Sequence, residues 1–169
     1  MRVIGIPARR LLAALVPFAL CAAACGPSLK VRGNEALTDE QVAPYRLPGT
    51  STVEGQVIVR PANGPVQLGS DADVRIMPMT TESDDYVQNT VLAGGTDMPK
   101  DTFRTPSWFA QADASGRFRF TQMAAGNYYV LCPLAWVDGG ERHKAIALGR
   151  AQVAAGATAQ IEVSPAAGR

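Results

Sequence analysis

Short runs of alternating apolar and polar side chains fill residues 53 to 163, and this period of two constrains the fold more than any other feature of the chain. Successive side chains of a strand point to opposite faces, so each run has one side to bury and one to hydrate. Phe118 and Phe120 alternate with Arg117 and Arg119. Val53 and Val57 share a face with Gly55, while Glu54, Gln56 and Ile58 point the other way. Val74 and Ile76 alternate with Arg75 and Met77, and Ile161 and Val163 with Gln160 and Glu162. Tyr128, Val130, Cys132, Leu134 and Trp136 line one face of the longest run, and Ile146 and Leu148 belong to the next.

Turn chemistry separates these runs: Asn63-Gly64, Asp113 to Gly116, Gly126-Asn127, Asp138-Gly139-Gly140 and Ala155-Gly156. With no βαβ alternation, the pattern predicts an all-β antiparallel sandwich of six or seven strands. One stretch, about 80–106, interrupts it between the second strand and the third. Ser83 is placed to cap a short helix whose first turn holds Asp84 and Asp85. Tyr86, Val87, Val91 and Leu92 give that helix an apolar stripe, and Gly94-Gly95 ends it. A connection this long inside a compact domain is usually functional or mobile.

Ahead of the strands, Arg2, Arg9 and Arg10 precede an uncharged, largely apolar run from Leu11 to Ala24, so residues 1–24 read as an export leader. Roughly fourteen residues rise only about 21 Å as a helix, short of a ~30 Å hydrocarbon core. Ala22-Ala23-Ala24-Cys25 resembles the lipobox of bacterial lipoproteins, which makes Cys25 the lipid attachment residue and the membrane a partner. Gly26 behind the cysteine is similar to lipoproteins passed to the outer membrane. Ala22-x-Ala24 also suits the ordinary signal peptidase. A soluble form with a Cys25–Cys132 disulfide is then the rival to a lone Cys132 buried in a strand.

Residues 25–52 carry Pro27, Gly33, Pro44, Pro48 and Gly49 without apolar periodicity and read as a flexible tether. Within it, Thr38 to Gln41 has the spacing of a capping box for a single helical turn. The domain proper is expected over 53–165. The formal charge of the whole chain is +1, and loss of the leader would remove three arginines. Neither balance gives the basic field that holds nucleic acid.

Four segments carry a family likeness: Gly55-x-Val57, Ala72-x-Val74, Asp113-x-x-Gly116-Arg117-Phe118-Arg119-Phe120 and Ala125-Gly126-x-Tyr128-x-Val130. Together they resemble the carboxypeptidase regulatory-like domains. That resemblance implies a seven-stranded antiparallel, transthyretin-like and Ig-like sandwich over about 53–163, here with the helical insert at 80–106. It also implies that Tyr128 is a tyrosine corner, its ring buried and its hydroxyl bonded to nearby backbone. Members of that family are accessory modules without a catalytic zinc, serving as spacers, stability partners or binding modules.

Chemistry-bearing constellations are sparse. His143, the only histidine, sits beside the Gly139-Gly140 turn and reads as a solvated hairpin end. The sequence has no His pair, no Cys-x-x-Cys and no EF-hand spacing around Glu82, Asp84 and Asp85, so no metal and no cofactor is expected. Aromatics remain. Tyr86, Trp108, Phe109 and Trp136 are candidate ligand contacts, unless the insert helix lies over one sheet and buries them as a satellite core.

These readings lead to an expectation of a lipid-anchored, non-enzymatic envelope protein whose sandwich is a binding or structural module, with an envelope protein or glycan as partner. The alternatives are a carbohydrate-binding module using Trp108 and Phe109, and a hydrolase using His143. Oligomeric state is left open.

Overall fold

A computed structural model describes residues 37–100 and 102–165. The leader, Cys25 and the first part of the expected tether lie outside those residues. Eight strands follow in chain order: β1 (Ser51–Val59), β2 (Gln67–Leu68), β3 (Asp73–Pro78), β4 (Trp108–Gln111), β5 (Arg117–Met123), β6 (Gly126–Asp138), β7 (Glu141–Val153) and β8 (Thr158–Pro165). The helices are α1 (Asp39–Val42), which runs into a 3-10 turn at Ala43–Tyr45, and α2 (Thr81–Tyr86), which runs into a π-helical turn at Val87–Val91.

The strands form one sheet ordered β2-β1-β8-β7-β6-β3-β4, with β5 pairing β1 along the edge opposite β8, the edge that β2 also takes. It curls so that β5, β1 and β8 make one layer and β7, β6, β3 and β4 the other. Val53, Val57, Phe118, Phe120 and Val163 from the first layer meet Val74, Ile76, Tyr128, Val130 and Cys132 from the second in a single core. The all-β prediction holds. The seven-stranded antiparallel form does not, because there are eight strands and the sheet is mixed: β1 and β8 pair in parallel, Val53 opposite Ala159 and Val57 opposite Val163. Parallel neighbours need a crossover connection. Here the rest of the domain, β2 to β7, is that crossover, and no local pattern in the sequence announces it. The two residues of β2 are too few to show a period at all. With β2 counted, the insert lies between the third strand and the fourth.

Tyr128 behaves as a tyrosine corner. Its ring is fully buried and its hydroxyl donates to the Ala124 carbonyl oxygen at 2.7 Å. The ring also meets Tyr45 edge-on at 5.4 Å and Trp108 at 6.4 Å between centroids. Burial raises its phenol above the usual range, with Tyr45 adding to the effect, so it stays a donor.

Tyr45 belongs to a segment expected to be tether, and residues 37–52 are instead part of the domain. Leu37 and Val42 are buried, and Gly49 donates its amide to the Gln122 carbonyl. A Cβ at Gly49 would lie 2.1 Å from the Met123 carbonyl oxygen, so only glycine permits this approach. Capping at Thr38 is as expected, its side chain accepting from the Gln41 amide. The prolines that suggested a coil shape a short turn whose apolar residues find a core.

The insert covers the outer face of the second layer. Met77, Val87, Val91, Tyr129, Leu131 and Ile146 form a second cluster there, with Tyr86 and Phe103 packed against it. For this reason β6 is buried on both faces from Tyr128 to Cys132. The helix begins three residues earlier than predicted. Thr80 is the N-cap, and Ser83 is the third residue of a capping box, its hydroxyl accepting from the Thr80 amide at 2.8 Å. Leu92, counted into the apolar stripe, is 45% exposed, standing as the C-cap where the π-helical turn ends. Cys132 is a free, fully buried thiol pushed up to about 12 by that burial. Among the described residues, no helix is long and apolar enough to cross a membrane.

Removing only the corner hydrogen bond, Tyr128→Phe, is expected to cost about 1–2 kcal/mol, because the Ala124 carbonyl loses its partner. Tyr128→Ala is expected to cost about 3–5 kcal/mol through the cavity it leaves. Urea midpoints of the three proteins check the order, and a Phe variant as unstable as the Ala variant would contradict it.

Candidate functional site

The outward side chains of β5, β1 and β8 make a polar surface, and register decides its layout. Glu54 lies opposite Arg119 on one side and Gln160 on the other, while Gln56 lies between Arg117 and Glu162. The result is two rows of three polar groups, spaced about 4.8 Å across strands and about 7 Å along them. They line an open groove of about 860 Å³, bounded on another side by Ala110 and Gln111 of β4. That volume is within the range of small-ligand sites.

Glu54 accepts from Arg119 Nε at 3.0 Å and from Gln160 Nε2 at 2.6 Å, which fixes both of its oxygens. Glu162 pairs with Arg60 through both carboxylate oxygens, and that hydrogen-bonded pair holds its carboxyl below the usual range. Gln56 donates to the Ser115 carbonyl. At the lip, Asp113 accepts from the Ser115 hydroxyl at 2.7 Å and from the Ser115 and Arg117 amides at 2.8 and 2.9 Å. Those bonds, the hydroxyl first, lower its carboxyl pKa. The Arg117 guanidinium has no hydrogen-bond partner among the described residues. Three carboxylates (Glu54, Asp113, Glu162) stand against three guanidiniums (Arg60, Arg117, Arg119), so the surface is neutral yet dense in donors and acceptors.

The four aromatics singled out in the sequence do not converge on this groove or on each other. Trp108 points inward, onto Tyr128. Tyr86 donates its hydroxyl to the Asp97 carbonyl and packs edge-on against Phe103, with burial, the main cause, raising its phenol to about 12. Trp136 stacks on His143 near the end of the β6–β7 hairpin, rings 5.4 Å apart and 20° from parallel. Phe109 alone of the four is largely exposed, at 71%. Its ring has the Arg75 guanidinium 5.4 Å from its centroid, and the same guanidinium lies 5.5 Å from the Phe103 ring. Arg75 is buried and donates to the Ser107 hydroxyl and the Pro99 carbonyl. The satellite core expected under the insert therefore takes Tyr86 but neither Trp108 nor Phe109.

Glu82 is likewise committed to structure, accepting from the Arg104 and Thr105 amides and the Thr105 hydroxyl. Among the described residues no group of three His, Cys, Asp or Glu side chains is placed to hold a metal ion. The two-residue period marks the outward side chains of the three strands but not a site, because the rows exist only once β5 and β8 are paired to the two edges of β1.

No family model matches the chain, and no curated protein matches it. Its fold is similar to a crystal structure from Pseudomonas aeruginosa described as a "putative carbohydrate binding protein". The TM-score is 0.60 at 19% sequence identity, over 76% of this chain and 99% of that one. The two share an all-β, sandwich-like fold.

Proposed function

We propose that this protein is a non-enzymatic module that binds saccharides in the groove of the β5–β1–β8 face. The observation that carries the reading is the pair of polar rows on Glu54 and Gln56, with near-zero net charge and alternating donors and acceptors. A sugar hydroxyl both donates and accepts, so it can bridge a guanidinium and a carboxylate already held at fixed spacing. The name given to the similarly folded Pseudomonas protein supports the same ligand class. The resemblance to carboxypeptidase regulatory-like domains fits an accessory binding role. Export and anchoring through lipidated Cys25 complete the proposal, placing the module at the bacterial envelope.

Calorimetric titration with chito-, cello-, malto- and manno-oligosaccharides tests the binding claim. At least one series is expected to bind, and Arg119→Ala or Glu54→Ala is expected to weaken it by about tenfold or more, about 1.4 kcal/mol, without changing thermal stability. No binding by wild type, or full affinity in both variants, overturns it. Fractionation of cells tests the anchor: Cys25→Ala is expected to move the protein from the membrane to the soluble fraction, and wild-type protein found soluble without detergent contradicts it.

A further inference from the structure

From the position of Phe109 we infer that the ligand of this groove is a linear oligosaccharide long enough to cross β4, with one sugar ring stacked on Phe109. This rests on the saccharide reading and specifies which saccharides the site selects. Two observations carry it. First, Ala110 and Gln111 border the main groove and also line a second hollow of about 570 Å³ that contains Arg75, Met98, Pro99 and Phe109. One edge strand is thus the shared wall of both, and β4 pairs only with β3, so nothing in the sheet lies between them.

Second, the period of β4 turns Phe109 outward, and the insert that covers neighbouring side chains leaves its ring uncovered. Its neighbours Trp108 and Ala110 turn inward and pack against the main core, while the Phe109 ring stands outward at 71% exposure. The ring is not solitary, because Met98, Pro99 and Pro133 line the same hollow and make it part of an apolar patch. The ring is nevertheless held, because the Arg75 guanidinium lies against it and is fixed by Ser107 and Pro99. Contact with a cation favours a defined ring position. A held ring loses little freedom on binding, and the electron-rich face of an aromatic suits the C–H face of a pyranose. Phe109 and Gln111 point the same way, about 7 Å apart along the strand. A chain leaving the groove over Gln111 would turn around the β4 edge onto the outer face of the second layer, where the ring stands.

A short ligand would fill the groove alone, whereas a longer one would add the Phe109 contact. Affinity is therefore expected to rise with chain length, and Phe109 is expected to account for the rise. Titration of the full chain with the same four oligosaccharide series, from two to six units, tests this. Phe109→Ala is expected to weaken the longest members of a binding series by about tenfold, consistent with loss of an aromatic stacking contact. Disaccharide binding is expected to stay within about twofold of wild type. Phe109→Tyr, which keeps the ring face, is expected to restore the dependence on length. Equal weakening at every length, or no change in Phe109→Ala, overturns the extension across β4 while leaving groove binding intact. Failure of wild type to bind any series overturns both.

Discussion

The buried ring of Tyr128 is the interaction on which the arrangement depends. Its hydroxyl ties the β5–β6 corner to β6 through Ala124, and its edges carry Tyr45 from the N-terminal segment and Trp108 from β4. Three elements distant in sequence are thereby fixed around one side chain. The consequence for β4 is direct. With Trp108 packed inward on Tyr128, the two-residue period of the strand turns Phe109 outward and leaves Gln111 facing the same way. The inward grip of the core on β4 and the outward display of Phe109 are two sides of one constraint.

The first layer follows similar logic. Phe118, Phe120, Val53, Val57 and Val163 fill the core, so the intervening Arg117, Arg119, Glu54, Gln56, Gln160 and Glu162 must face out. Whether such residues form a site depends on register, and register here aligns unlike charges across strands. An arginine opposite a glutamate at each step would be a surface pair of small energetic weight. A row in which donors, acceptors and amides share a groove wall is the feature on which the proposed saccharide binding rests.

Much of this was legible in the chain. The strand faces, the Gly94-Gly95 helix stop, the buried Cys132 and the hydroxyl bond of Tyr128 follow from period, turn chemistry and resemblance. The parallel β1–β8 pair was not, since parallel partners leave no local trace when the whole domain connects them. Nor was the docking of residues 37–52. Proline and glycine there suggest coil, but Gly49 serves a close backbone approach and Tyr45 serves the Tyr128 ring. At the site, Phe109 was singled out, but its coupling to Arg75 and the separation of Trp136 required the tertiary fold. The groove rows were hidden for the same reason as the parallel pair: both are products of pairing between strands far apart in sequence.

Amide shift mapping tests the central claim most directly, using the isotope-labelled chain titrated with whichever oligosaccharide series binds. The largest shifts are expected at Glu54, Gln56, Arg117, Arg119, Gln160 and Glu162, with the Trp136–His143 end of the hairpin unmoved. Shifts concentrated on that hairpin, with the three-stranded face silent, would contradict it.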